Sequence, residues 1–367
     1  MTTIYFASNR DVLHETSTTS HLFGERFNQL GPQCFRVGEA NVDYAGDDPK
    51  IDGNWTVGAG KLYPENLQDR NNKPATYGSA RLFEGLRKLL KGGDCDVIAY
   101  IPGFANTFEN SLQRAAALQE LYNSEKQRVI VVLFSWPSNG EVAPAWNYFS
   151  DREDAEASGL AMGRALLRLV EFLTEMRAVD RETVVQARRI GQVPKPEDLR
   201  QCTQRLHLLA HSMGNWAFRH ALRKFSDLNG GHIPRVIDCA FLMAADEDND
   251  ALQERLKLRR LEELANRTFV YHAANDIALT ISDTTKGLPD RLGSDGPKNL
   301  DLVSERVFAI DCRKVSETAL LDGRHQYYRL RDEVIEDIRL TLDDQPQEDR
   351  SGRIVVRPGR SWRLQPR

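Results

Sequence analysis

The chain has 367 residues, 41% hydrophobic and 28% charged, with a formal net charge of -4. That composition fits a globular protein able to bury a large core and excludes a collagenous or disordered chain. A charge this small, with both signs mixed along the sequence, argues against nucleic acid or a membrane surface as the main partner.

The chain opens on TIYFAS, a compact apolar run that reads as a buried strand. Its setting, MTTIYFASNRDV, lacks the basic start and long apolar stretch of a signal peptide. Residues 28–76 are rich in Gly, Asn, Asp and Pro and are expected to decorate the fold as loops and short strands. Strand-like DVIAYI (Asp96 to Ile101), helix-period NSLQRAAALQELYNSE and strand-like RVIVVLFSW (Arg128 to Trp136) come next. DAEASGLAMGRALLRLVEFLTEM follows as a helix; its most apolar part contains arginine and is too short to span a bilayer. Residues 177–204 read as a polar insertion or long connection. RLHLLA (Arg205 to Ala210) is strand-like and NWAFRHALRKF helical; RVIDCAFLMAA (Arg235 to Ala245) is strand-like and ALQERLKLRRLEELA helical. RTFVYHAA (Arg267 to Ala274) and RVFAIDC (Arg306 to Cys312) complete the strands. Residues 341–367 carry six arginines after a short acidic stretch. They read as a mobile tail or a small hairpin turning at Pro358-Gly359, ahead of an arm for an acidic partner.

Strands that are apolar throughout and alternate with helices predict an α/β fold, a mostly parallel central sheet with helices on both faces. Residues 1–340 are expected to form one such domain, with its ligand site at the carboxyl ends of the strands. Cys34, Cys95, Cys202, Cys239 and Cys312 are odd in number and show no CxxC spacing. Reduced, partly buried thiols in a soluble cytoplasmic protein are therefore expected.

In RLHLLAHSMGNWAFRHALRKF the apolar strand stops at a small residue, presents His-Ser-Met-Gly and turns at once into a helix. A nucleophile elbow holds its serine on such a strained strand-to-helix turn, with small residues two positions to either side. Ala210 and Gly214 occupy those positions around Ser212. The helix behind the turn favours negative charge beside the serine, and the N–H of Met213 can face a developing oxyanion. The competing reading is a serine that merely caps the helix.

Partners decide between the two. Asp276 follows the strand RTFVYHAA and His325 lies beyond RVFAIDC, the chain order in which elbow folds supply acid and base. Taken singly, Asp276 reads equally as a helix cap and His325 as a loop histidine. Asp246, just past another strand, is the reserve acid. His272 reads as a packed strand histidine, and His207, His220 and His232 as structural or exposed. His211 is adjacent to Ser212, and neighbouring side chains diverge on this turn. The loop IPGFANTFENSL offers a second oxyanion donor: Pro102 has no N–H, so Phe104 is the first choice and Gly103 the alternative. Trp136, Trp146 and Tyr148 are candidates for an apolar acyl pocket or lid, with core packing an equal reading for Trp136. There is no HExxH and no clustered His/Cys set, and VGAGK (Val57 to Lys61) is too short to claim a nucleotide, so neither a metal nor another cofactor is expected.

YFASNR, YIPGFANTFENSLQRAA, VVLFSWPSNG, YFSDREDAEAS, LLAHSMGN, HAANDIAL and GRHQYY occur in this order over nearly the whole chain. Together they resemble the α/β-hydrolase superfamily and, within it, the mainly bacterial family named domain of unknown function 900. The resemblance implies Ser212 as nucleophile, Asp276 as acid and His325 as base. Pro102 departs from it, since such proteins usually carry histidine before the oxyanion-loop glycine. The expected activity is serine-dependent cleavage of an ester or thioester of a small molecule through an acyl-enzyme. A binding or scaffold protein that keeps the fold without turnover is the alternative.

Overall fold

The computed structural model describes residues 1–19, 21–64, 77–90, 95–138, 145–193, 204–279, 290–317, 324–348 and 350–367, with the backbone alone for 145–147, 177, 179 and 180. Strand β1 (Thr2–Ser8) buries Ile4 and Phe6 on one face and Tyr5 and Ala7 on the other. A period of two with both faces apolar is the mark of a strand covered on both sides. The same holds for β7 (Cys95–Ile101), β8 (Arg128–Ser135), β9 (Leu206–His211), β10 (Ile237–Met243), β11 (Ala265–His272) and β12 (Val307–Asp311).

Among the described residues these strands join β3 (Thr16–Ser17), β5 (Arg36–Tyr44), β6 (Trp55–Leu62), β13 (Arg353–Arg357) and β14 (Ser361–Leu364) in a 12-stranded sheet. Its order is β13-β14-β12-β11-β10-β9-β7-β8-β1-β5-β6-β3. From β14 to β1 every neighbouring pair is parallel; β13, β5, β6 and β3 add on antiparallel. Strands β2 (Arg10–Val12) and β4 (Phe23–Phe27) form a separate pair. One face of the large sheet is covered by α1 (Gly78–Leu90), α4 (Gly159–Arg189) and α5 (Met213–Leu228), through residues such as Leu86, Leu173 and Phe218. The opposite face is covered by α2 (Phe108–Tyr122) and the helix Asp332–Leu342, through Leu112, Leu118 and Ile338. Helix α3 (Ala145–Ala157) precedes α4, and the break falls at Ser158 rather than inside one continuous helix.

Every strand read from the sequence is present, and three other expectations are corrected. The described part of 28–76, read as loops and short strands, holds two longer strands: β5 and β6 extend the sheet antiparallel, burying Ala40 and Val42 with Trp55, Val57 and Leu62 on one face and Val37 on the other. Gly58, Gly60 and the polar residues on the alternate positions had diluted that period. Residues 177–189, read as part of a polar insertion or long connection, are helical and form the end of α4; the stretch 194–203, with Cys202, lies outside the described residues. ALQERLKLRRLEELA is a chain of turns with a four-residue helix at Leu261–Leu264. Lys257 is drawn back onto Asp248 and Asp250, and Leu258 N–H donates to Ala251 O at 2.8 Å, closing the loop before a helix can propagate.

Among the described residues no helix is long and apolar enough to cross a membrane. Cys34, Cys95, Cys239 and Cys312 are free, all but Cys34 buried. The arginine-rich end is a hairpin that turns at Pro358–Gly359 and pairs β14 with β12. Buried Trp362 and the enclosed side chain of Arg353 anchor it, and Arg353 spans the Asp337 carboxylate with contacts of 2.5 and 2.7 Å. Tyr271 Oη donates to the same carboxylate at 2.6 Å, so the hairpin is tied to the middle of the sheet. Removing one partner of a buried ion pair strands the other. Arg353→Ala is expected to lower unfolding free energy by about 3 kcal/mol in urea titration, the low end because Arg350 still faces Asp337 at 3.5 Å. An unchanged midpoint would mean that the pair contributes nothing.

Candidate active site

Ser212 stands between the end of β9 and the start of α5 at φ 53°, ψ -127°. A non-glycine residue held there carries roughly 1–3 kcal/mol of backbone strain. The surroundings fix it. Ser212 N–H donates to Met243 O at 2.9 Å, and Ser212 O accepts from the N–H groups of Asn215 at 3.0 Å and Asp246 at 3.2 Å. The buried Asn215 amide also donates to Ala210 O at 3.0 Å and Ser212 O at 3.1 Å, which clamps both sides of the turn. Gly214 is required by proximity: a Cβ there would lie 2.6 Å from the carbonyl oxygens of Ile101 and Pro102. Ala210, by contrast, is accommodated in the core beneath the turn.

Asp276 lies past β11 and His325 past β12, both at the same carboxyl edge as Ser212. His325 Nδ1 meets Asp276 Oδ2 at 2.7 Å. A carboxylate only accepts, so the proton sits on Nδ1 and the lone pair on Nε2. Asp276 is fully buried, and its other oxygen accepts from Leu279 N–H at 3.1 Å. It caps a turn and holds the histidine at once. The link to the elbow runs through His211. Its ring centroid is 4.7 Å from that of His325 and 4.5 Å from that of Tyr328, and its Nε2–H donates to His325 O at 3.1 Å. Burial, then the neighbouring His325, push the His211 pKa well below the usual value, so it stays neutral.

The loop after β7 lies against the serine: a Cβ on Gly103 would sit 2.8 Å from Ser212 Cβ and 3.0 Å from His211 Nδ1. The Asn106 amide donates to the carbonyls of Gly103 at 2.8 Å and Phe104 at 2.9 Å. In a trans peptide the N–H points opposite to the C=O, so the N–H of Phe104 is turned away from Asn106. Ala105 takes a positive φ of 55° to close this loop. Met213 is the first residue of α5, where a backbone N–H has no intrahelical acceptor.

Other candidates are placed differently. Trp136 is buried in the core and donates Nε1–H to Pro102 O at 2.9 Å, bracing the loop rather than lining a pocket. The Trp146 side chain lies outside the described residues. The Tyr148 ring meets Phe104 edge-on at 5.8 Å, and its hydroxyl donates to Asp246. Asp246 also faces Arg152 at 3.6 Å and Arg291 at 3.5 Å, while the His325 Nδ1 proton goes to Asp276. His272 is packed in the sheet, bonded to Ser294 O at 3.2 Å.

The sequence reading missed Asn106, Asn215 and Arg10. Arg10, fully buried after β1, reaches Asn106 O at 2.6 Å, Ser135 Oγ at 3.1 Å and Ser138 O at 3.2 Å. Ser138 in turn donates to Asp151 at 2.5 Å. Burial pulls the Arg10 pKa down to about 10, which leaves it charged at neutral pH. The signal was an arginine directly after an apolar strand, in YFASNR.

Glu247 beside Asp246 is buried against Arg219 at 3.3 Å, and burial raises its pKa to about 7. With the folded value above the unfolded one, the folded state binds the extra proton, and stability falls as pH rises from about 4.5 through 7. Glu247→Gln is expected to unfold later than wild type at pH 8, by up to ~3 kcal/mol, and to match it near pH 4.5. A difference independent of pH, read from melting curves, would remove that account.

A family model described as "Alpha/beta hydrolase of unknown function (DUF900)" matches residues 83–192 and 197–342. No curated protein and no solved structure matches the chain. The matched span takes in β7 with its glycine loop, the turn at Ser212, Asp276 and His325. By sequence and by its large, mostly parallel sheet the chain belongs to the alpha/beta hydrolases, in the family of unknown function DUF900.

Proposed function

We propose that the protein is a serine hydrolase that cleaves a carboxylic ester or thioester of a small molecule through an acyl-enzyme. The observation that carries this reading is the 2.7 Å contact between His325 Nδ1 and the buried Asp276 carboxylate, at the sheet edge where Ser212 is held in a strained turn. Asp276 fixes the tautomer and stabilises the imidazolium, and His325 Nε2 takes the Ser212 proton as its oxygen attacks the carbonyl carbon. The N–H groups of Met213 and Phe104 hold the oxyanion. His325 then protonates the leaving alcohol or thiol, and water, activated by the same imidazole, releases the acid. Phe104 and Tyr148 are assigned to the wall of the acyl site.

A fluorophosphonate probe is expected to label wild type at Ser212 and to leave Ser212→Ala unlabelled. With p-nitrophenyl esters, Ser212→Ala and Asp276→Asn are each expected to lower kcat/KM by about 10⁴-fold. Wild-type protein that is folded yet neither labelled nor active on a chain-length series of esters would leave the binding-protein reading.

The oxyanion loop has its own test. Gly103→Ala places a methyl group against Ser212 Cβ at 2.8 Å, so loop or serine must shift. Loss of one oxyanion donor costs about 10²–10³ in kcat. A fall of that size with KM little changed and an unaltered circular dichroism spectrum is expected; full activity would exclude Phe104 as donor.

A further inference from the structure

At the opposite edge of the sheet the amino-terminal ends of β9 and β10 bring together side chains that the serine chemistry does not use. A ring nitrogen of His207, the Cys239 sulfur and a carboxylate oxygen of Asp238 lie within 4.8 Å of one another. His207 and Cys239 are fully buried and Asp238 partly so. His207 Nε2 meets the buried Asp96 carboxylate at 3.2 Å. That contact assigns the ring proton to Nε2 and the lone pair to Nδ1, which has no hydrogen-bond partner among the described residues. Leaving such a group unsatisfied costs about 1–3 kcal/mol. A histidine held by a carboxylate through one nitrogen, with the other free, is arranged as metal-binding histidines are.

The charges fit as well. Asp96, Asp238 and Asp344 face Arg205 and Arg267, with contacts of 2.8 Å for Arg205–Asp96, 2.7 Å for Arg267–Asp238 and 2.8 Å for Arg267–Asp344. Three carboxylates against two guanidiniums leave one negative charge, and Cys239 is a thiol that donates to Asp238 Oδ2 at 3.4 Å. A divalent cation that displaces the thiol proton meets that charge and the one the sulfur then carries. One imidazole, one thiolate and one carboxylate form a mixed N/S/O set that suits zinc rather than magnesium or calcium.

We propose that His207, Asp238 and Cys239 form a zinc site, with Asp96 orienting the imidazole from behind. On binding, Cys239 forms the Zn–S bond and releases its proton to solvent; the ion stays divalent, and water takes the fourth position. From His207 to Ser212 the strand rises about 3.3 Å per residue, which puts the two sites roughly 16 Å apart. The ion therefore pins β9 to β10 and takes no part in acyl transfer.

The test is a titration of the metal-stripped full chain with Zn²⁺, and with Co²⁺ as a spectroscopic probe. One equivalent of zinc, a thiolate-to-cobalt charge-transfer band in the near ultraviolet and a raised melting temperature are expected. Cys239→Ser should abolish the band. Asp96→Asn should weaken zinc binding about 10–100-fold. A band that persists in Cys239→Ser, or no stoichiometric zinc in wild type, overturns the proposal. Should Cys239→Ser fail to fold, X-ray absorption at the zinc edge on the wild type decides: a sulfur scatterer supports the site, and a shell of nitrogen and oxygen alone refutes it. Fluorophosphonate labelling of Ser212 is expected to be the same with and without zinc, so the two readings fail separately.

Discussion

The arrangement at the carboxyl edge of the sheet depends on one backbone crossing, where the turn after β9 passes against the end of β7. Gly214 lies so close to the carbonyls of Ile101 and Pro102 that a side chain would sit 2.6 Å from each, and a Cβ on Gly103 would sit 2.8 Å from Ser212 Cβ on the other side. Two backbones can meet at this distance only where Cβ atoms are missing. The contact lifts Ser212 out of the sheet at φ 53° and sets the glycine loop beside it. A wider crossing would let the turn relax into an ordinary helix cap, with its serine far from the glycine loop.

Strain of this kind persists only if the surroundings over-determine it. Here they do so in two layers. Asn215 and the N–H groups of Asn215 and Asp246 hold the elbow, each hydrogen bond contributing about 1 kcal/mol. Beneath the loop, Arg10 holds Asn106, and the Asn106 amide holds the carbonyls of Gly103 and Phe104. Trp136 braces Pro102 where the loop leaves β7. The polar groups in this scaffold are buried, so losing one leaves a partner unsatisfied in a low-dielectric core. The scaffold therefore shifts as a unit or not at all.

Legibility followed from the range of each interaction. β1 and β7 to β12 were readable because both faces of each are apolar, a pattern carried by consecutive residues. β5 and β6 escaped because polar residues and glycines fall between their buried apolar positions. The turns at Ala251–Arg260 read as helix because nothing local reveals that Asp248 and Asp250 capture Lys257. At the site, Ser212, Asp276 and His325 could be listed from their places after strands, since strand ends converge in a parallel sheet. Chain order alone ranks Asp276 ahead of Asp246, and the fold adds that Asp246 faces Tyr148 and Arg152. Asn106 and Arg10 lie 96 residues apart and have no sequence signal except their neighbourhood to strand ends.

The two edges of this sheet illustrate how parallel strands separate tasks. At the carboxyl edge the chain leaves each strand on a loop free to carry chemistry, and strain concentrates there around Ser212. The amino edge receives chains returning from helices, and its groups answer to neighbouring strands: Asp96 on β7, His207 on β9, Asp238 and Cys239 on β10, Arg267 on β11. A polar cluster that bridges four adjacent strands resists their sliding, since a shift of one residue would turn each of these side chains to the opposite face. The β9–β10 register shifts between Ile237 and Ala240, where this cluster sits; beyond it Met243 pairs with His211, and Met243 O is the acceptor that holds Ser212 N–H. The geometry of the serine therefore rests on strand pairing across the whole width of the core, not on its own loop alone.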